Sequence, residues 1–282
     1  MEQLTKLEYC DKLHIARTNC SPFHTLIAIV SGTANAYALT KSICDAMGIK
    51  FKHTPNSQAL HKNAMYLCNH RSWGDFFMDQ TICNGGAYLS RLLVILGCPM
   101  SSLYAYLTHA TWFFNRKKGI DREALGNYIQ TQWMARPSKG LIVYPEGTRN
   151  LVMEPLRLKT GVLKMAYDYQ RPVQTVVTTN KELVANEKDM QMQRNVECIT
   201  SISVVIKPED FKTFEEFVEA VREQFVETWK DAYGCDPKEA ISYLPPFGLS
   251  KPEFEPVPYS RRIWYARIIV VLFSLMLYAS RK

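Results

Sequence analysis

No CxxC pair and no Cys/His cluster at zinc spacing occurs in this sequence, although it holds eight cysteines, at positions 10, 20, 44, 68, 83, 98, 198 and 235. The common structural zinc sites are therefore excluded, and a chain of 282 residues can bury enough core to stand without disulfides. Free thiols and a reducing, cytosol-facing compartment are the expectation. No signal-peptide pattern opens the chain, since the residues from Met1 to Asp11 are polar and charged. No G-x-S-x-G elbow is present, which removes the usual α/β-hydrolase nucleophile. Basic residues outnumber acidic ones, 34 to 27, for a net charge of +7, yet the longest basic block is Arg116-Lys117-Lys118. Without a nucleic-acid motif, that balance favours an acidic membrane surface or a phosphorylated small molecule over nucleic acid.

Two unusual polar strings stand out instead. Asn69-His70-Arg71-Ser72-Trp73-Gly74-Asp75 follows the apolar run Ala64–Cys68 and precedes Phe76–Ile82. The run reads as a buried strand and the segment after it as the opening turns of a helix. The second string, Tyr144-Pro145-Glu146-Gly147-Thr148-Arg149, also follows an apolar strand, Leu141-Ile142-Val143. Loops at strand ends are where a rigid scaffold collects its functional groups, so two such loops suggest one shared site.

Around these strings the pattern alternates between strand and helix, which predicts an α/β domain. A small, apolar segment from Thr25 to about Met47 reads as a helix, either in the core or lying on a membrane. The aromatic stretch Tyr88–Phe114 is interrupted by Gly97 and Pro99 and reads as a strand, a turn and a short helix. Asp121 caps a predicted helix through Trp133, Thr160–Tyr169 reads as helical, and Val173–Thr178 and Cys198–Ile206 as strands. Thr213 and Glu216 form a capping box for the clearest helix, whose stripe Phe214, Phe217, Val218, Val221, Phe225, Trp229 and Tyr233 predicts core packing. Five prolines between Pro245 and Pro258 read as a semi-rigid connector. Beyond it, Ile263–Ala279 carries a single charge, Arg267. As a helix this run would reach roughly 26 Å, near a bilayer's hydrocarbon thickness, and it is read as a C-terminal membrane anchor. The expected domains are thus an N-terminal helical membrane-associated element (1–50), an α/β domain (51–242), a linker (243–262) and the anchor (263–282).

Three chemistries fit the first string. A hydrolase could use Ser72 with His70 and Asp75, but three triad members within six consecutive residues align poorly. A metal site would want further ligands at helical spacing; Asp79 is available, whereas His109 and Glu146 come from uncertain positions. A general base oriented by a carboxylate needs only His70 and Asp75 and would activate an external hydroxyl. That last arrangement suits acyl transfer from a thioester, whose thiolate leaves without strong acid assistance. In the second string, Glu146 can accept hydrogen bonds from hydroxyls, Gly147 permits close backbone approach, and Arg149 can grip a phosphate. Arg116 is another candidate phosphate clamp. Cys68, beside the first string, sits among apolar neighbours that favour a buried, inert thiol.

Asn69-His70 with Asp75 resembles the NHxxxxD motif of glycerophospholipid acyltransferases, and Tyr144–Arg149 resembles their [FY]PEGTR motif. Trp112–Arg116 resembles the motif between these two, without its usual glycine. Lys159-Thr160-Gly161 and Arg171-Pro172-Val173 resemble the basic patch and the proline-containing fourth motif that follow. The resemblance covers about Ala64 to Thr178 and is closest to the 1-acyl-glycerol-3-phosphate acyltransferases. It implies that His70 is the base and Asp75 its orienting partner. It implies that Arg116, Glu146, Gly147, Thr148 and Arg149 shape the acceptor's phosphate end, with Lys159 as a possible further anion contact. It also implies an acyl-CoA co-substrate, a lysophospholipid acceptor, a membrane setting, no metal and no tightly bound cofactor. The expected location is the cytosolic face of the endoplasmic reticulum, with the mitochondrial outer membrane as the alternative.

Overall fold

The computed structural model of the protein describes residues 36–91, 102, 105–106, 109–114, 121–135, 140–186, 189, 191–249 and 268. Helix α1 (Ala36–Ala46) leads into strand β1 (Lys50–His53), followed by β2 (Met65–Cys68), α2 (Asp75–Ile82), β3 (Ala87–Arg91) and β4 (Thr111–Phe114). Then come α3 (Arg122–Met134), β5 (Leu141–Val143), α4 (Thr160–Asp168), β6 (Val173–Thr178) and the one-turn α5 (Lys181–Val184). The small β7–β8 pair (Ala185–Asn186 and Gln191–Met192), β9 (Glu197–Ile202), the long α6 (Phe214–Gly234) and β10 (Ile241–Ser242) complete the order.

Eight of these strands form one sheet in the order β10-β1-β9-β6-β2-β5-β3-β4. Strands β6, β2, β5, β3 and β4 are parallel, whereas β9 runs antiparallel to β6 and β1 runs parallel to β9. The chain leaves β2 for β3 on one side and later returns β6 to the other, with β5 between β2 and β3. In such sheets ligands bind beyond the carboxyl ends of the strands where the winding changes direction. That crevice lies at the ends of β2, β5 and β6.

Strand alternation divides the core into two layers. Tyr66, Cys68, Ile142 and Val176 face a cluster completed by Cys44 and Met47 around α1 and by Met78 and Ile82 of α2. Met65, Leu67, Leu141, Val143, Val173 and Val177 face the opposite cluster, filled by Ile129 and Trp133 of α3, Leu163 of α4 and the stripe of α6. Helix α1 is therefore part of the core: Ala36, Tyr37, Thr40 and Cys44 are buried, and Tyr37 donates its hydroxyl to the carbonyl of Pro245. The residues expected upstream of it, from Thr25, lie outside the described ones, as does the run Ile263–Ala279 apart from position 268. Among the described residues no helix is long and apolar enough to cross a membrane.

One local expectation is corrected. The aromatic run Trp112–Phe114 belongs not to a helix but to edge strand β4, paired in register with β3. Thr111 and three consecutive aromatics suit an extended, half-buried edge better than a helix face.

The capping box of α6 is present. Thr213 Oγ1 accepts from the Glu216 amide at 3.2 Å, and Glu216 accepts from the Thr213 amide at 3.2 Å. Thr213→Ala is expected to cost about 1 kcal/mol and to lower the melting temperature by about 2–4 °C. An unchanged melting curve would mean that burial of the apolar stripe alone holds the helix start.

Candidate active site

The turn after β2 is built around one buried carboxylate. Asp75, at the first position of α2, is fully buried, and its Oδ2 accepts from His70 Nδ1 at 2.7 Å. The same oxygen accepts from the backbone amides of Arg71 and Ser72, the latter at 3.0 Å. A carboxylate at a helix start, facing amides that point at it, folds the string into a loop that carries His70 back over α2. Burial by itself would raise the Asp75 pKa. The ammonium of Lys181, the bond and charge of His70 and the Ser72 amide outweigh it and hold Asp75 below the ordinary aspartate value. Because an ionised carboxylate only accepts, Nδ1 carries the proton, and the lone pair of neutral His70 sits on Nε2. The imidazole stacks on Tyr144, with centroids 4.2 Å apart and planes 15° apart, and is 18% exposed. It is held, oriented and reachable.

The other loops at the same edge are tied to this one. Asn69 exchanges two hydrogen bonds of 3.0 Å with the backbone of Thr178 at the end of β6. The carbonyl of His70 accepts from the Asn150 amide at 2.7 Å, just beyond the second string. Arg71 is buried and donates to Glu182 at 2.6 Å and to the carbonyls of Asn150 and Val152 at 2.6 and 2.7 Å. It is a staple between loops rather than a group aimed at a ligand.

In the second string, Glu146 is buried and its Oε1 accepts from Asn150 Nδ2 at 2.7 Å and from the Leu156 amide at 2.8 Å. Its Oε2 is buried without a hydrogen-bond partner among the described residues. A buried acceptor left unsatisfied is costly, and a donor such as a water or a ligand hydroxyl would satisfy it. Gly147 has φ +73°, a left-handed conformation that side chains disfavour, and a Cβ there would lie 3.2 Å from Lys159 Cγ. Thr148, Arg149 and Lys159 are exposed. The structure thus gathers His70 with Asp75, and Glu146 with Gly147 and the stem of Lys159. Arg116 lies outside the described residues.

Residues 48–179 match the family model described as Acyltransferase. This stretch thus carries a match to an acyltransferase domain. A 143-residue part of the chain is 24% identical to a 1-acyl-sn-glycerol-3-phosphate acyltransferase from Cocos nucifera, covering 49% of this chain and 44% of that relative. The chain thus matches less than half the length of this curated relative. The fold is similar to the crystal structure of PlsC, the 1-acyl-sn-glycerophosphate acyltransferase of Thermotoga maritima, with a TM-score of 0.53 over 81% of this chain and 99% of that one at 16% identity. Both loops just described, Asn69–Asp75 and Tyr144–Arg149, lie within the matched stretch.

Beneath them lies a pair that sequence reading missed. Lys181 is fully buried, and its Nζ bonds both oxygens of Asp79 at 3.0 and 2.9 Å and the carbonyl of Asn69, and stands 3.9 Å from Asp75. Asp79 in turn accepts from the Tyr144 hydroxyl at 3.0 Å. Burial, opposed by Lys181 and aided by the charge of Asp75, pushes Asp79 up to about 6. One ammonium therefore ends both arms that hold His70, one through Asp75 and one through Asp79 and Tyr144. Cys68, by contrast, is wholly buried, and burial beside Cys83 raises its thiol pKa well above normal, which leaves it unsuited as a nucleophile. Among the described residues no group of three His, Cys, Asp or Glu side chains could hold a metal ion.

Proposed function

We propose that the protein transfers an acyl group from acyl-CoA to the free hydroxyl of a lysophospholipid, with 1-acyl-sn-glycerol-3-phosphate as acceptor and phosphatidic acid as product. The observation that carries this reading is the buried Asp75 on His70 Nδ1, which leaves Nε2 as the base. Nε2 takes the proton of the acceptor hydroxyl, and the oxygen attacks the thioester carbonyl. The tetrahedral intermediate collapses as the C–S bond breaks, and the imidazolium returns its proton to the leaving thiolate. Asp75 stabilises the transient imidazolium and keeps the ring from turning. No acyl-enzyme is needed, in keeping with the burial of Cys68.

Glu146 Oε2 supports the acceptor end, as a buried oxygen awaiting a donor. Arg149 and Arg116 are the proposed phosphate contacts, with Gly147, Thr148 and Lys159 around them. The run Ile263–Ala279 is proposed to anchor the domain to a membrane, with the site on the cytosolic face of the endoplasmic reticulum.

The test is thiol release from oleoyl-CoA by detergent-solubilised full-length protein, with a panel of lysophospholipids and with no acceptor. Release that requires lysophosphatidic acid supports the whole reading. A requirement for another lysophospholipid keeps the reaction and changes the acceptor, whereas release without any acceptor makes the protein a thioesterase. Arg149→Ala is expected to raise the acceptor KM about 10-fold or more, the value of one charge-assisted contact, while the acyl-CoA KM moves little. The reverse pattern would assign Arg149 to the CoA phosphates.

A further inference from the structure

The segment that follows the second string turns its apolar side chains outward. Leu151, Val152 and Met153 are 47%, 57% and 64% exposed, and Leu156 is exposed as well. Single exposed apolar residues are ordinary, but a contiguous group marks an interaction surface. Nor is this a loose tip whose side chains happen to point outward. Arg71 draws the carbonyls of Asn150 and Val152 inward, and Trp229 Nε1 donates to the carbonyl of Met153 at 2.7 Å. Asn150 donates to the carbonyl of Glu154 at 2.8 Å and accepts from the Val152 amide at 3.0 Å, while Leu156 donates to Glu146. With these backbone groups engaged by the protein, the loop presents hydrocarbon on a fixed frame.

The charges around it have one dominant sign. Between positions 149 and 159 the exposed ionisable residues are Arg149, Arg157 and Lys159 against a single acid, Glu154. Apolar tips ringed by cations complement a bilayer whose surface carries anionic lipid. The loop is also continuous with the site, since its root residue Asn150 donates to the carbonyl of His70. Leu183, on the helical turn that Arg71 binds through Glu182, is exposed too.

We propose that the loop from Leu151 to Leu156 inserts into an anionic bilayer, so that the mouth of the site opens at the lipid surface. The inference rests on the acyl-transfer reading only for its purpose: a chain-bearing acceptor could then reach His70 without crossing water. Insertion is a physical event that can be measured without turnover.

The experiment places the photoreactive residue p-benzoylphenylalanine at position 153 of the full-length chain, in vesicles of phosphatidylcholine with phosphatidic acid and in pure phosphatidylcholine. Position 209 is the control. It follows Ile206, which pairs with Val173 at the amino end of β6, the end away from the site, and Glu209 is exposed. Illumination is expected to give phospholipid adducts at 153 but not at 209, with more at 153 when phosphatidic acid is present. Cross-links from 153 to residues 1–35 or 250–282, or to a second copy, in place of lipid would overturn the proposal. So would equal lipid labelling at both positions. A second measurement uses Val152→Asp with Met153→Asp and does not depend on the probe. Acyl transfer to an acceptor embedded in vesicles is expected to fall about tenfold or more, while transfer to a short-chain acceptor dissolved as monomer stays within about twofold. An equal fall on both acceptors would mean that the loop shapes the site and does not enter the membrane. If no acyl transfer occurs at all, the functional reading fails, and the cross-linking result still decides insertion.

Discussion

His70→Ala is expected to lower kcat by about 10²–10⁴-fold, the usual contribution of a positioned base, while the protein folds as before. The second half of that expectation follows from how Asp75 is held. With the imidazole removed, the carboxylate keeps the amides of Arg71 and Ser72 and the field of Lys181. No buried charge is orphaned, so the melting curve should move little. Asp75→Asn should behave differently. Its amide keeps the volume but loses the charge that receives two backbone amides and Nδ1–H, so both kcat and stability should fall. Full activity in His70→Ala, measured as acceptor-dependent thiol release, would remove the base assignment. Loss of activity together with loss of fold would mean that the ring acts through its stacking on Tyr144.

Lys181→Met is expected to cost stability on a scale of about 3–5 kcal/mol at neutral pH, because it strands buried carboxylates without their cation. Asp75 and Asp79 lie one helical turn apart on α2, both fully buried, with Lys181 between them. The pH dependence supplies the check. In the wild type, Asp79 has a folded value raised to about 6. Its contribution is therefore complete below the unfolded aspartate value and is lost as pH rises through about 6. Asp75 is lowered, so its contribution is present above the unfolded value and is lost as pH falls through its folded one. Without the ammonium the first effect should dominate, and Lys181→Met should regain stability on acidification from neutral pH, as Asp79 takes up a proton. Adding Asp79→Asn should recover part of the loss at neutral pH, since it removes the stranded charge and keeps a partner for Tyr144. Denaturant midpoints read both. An equal deficit at neutral and acid pH would mean that lost packing, not charge, is responsible.

Such a pair shows where sequence reading stops. The His70–Asp75 relation is local, and five residues of chain carry most of its geometry. Strands β2, β5 and β6 were legible because buried parallel strands are short apolar runs. The α6 stripe was legible because its period matches a helix. Lys181 was not, for it sits in a polar stretch, and an isolated lysine there reads as solvated. Its burial depends on Asn180, which takes a left-handed conformation with φ +61° and directs the next residue inward, and on Asp79, 102 positions away in sequence. Arg71 likewise reads as a variable position within its motif; its partners at Asn150, Val152 and Glu182 exist only once three strand ends meet. The strand at Trp112–Phe114 was misread because aromatics serve a helix face and a sheet edge equally well until β3 supplies the partner.

The stitching of the site by Arg71 and Asn150 has a consequence for anyone wishing to change its acceptor. The loops that carry His70 and Glu146 share a hydrogen bond from Asn150 to His70 and a common cation in Arg71. They behave as one casting, not as two exchangeable inserts. A graft of the segment from Tyr144 to Leu156 from a relative would have to keep a backbone N–H at position 150, so any residue but proline, and hold the carbonyls of positions 150 and 152 where Arg71 binds them. On the proposed reading, acceptor specificity is better redesigned at the exposed side chains of Thr148 and Lys159 than within the frame that aims the imidazole.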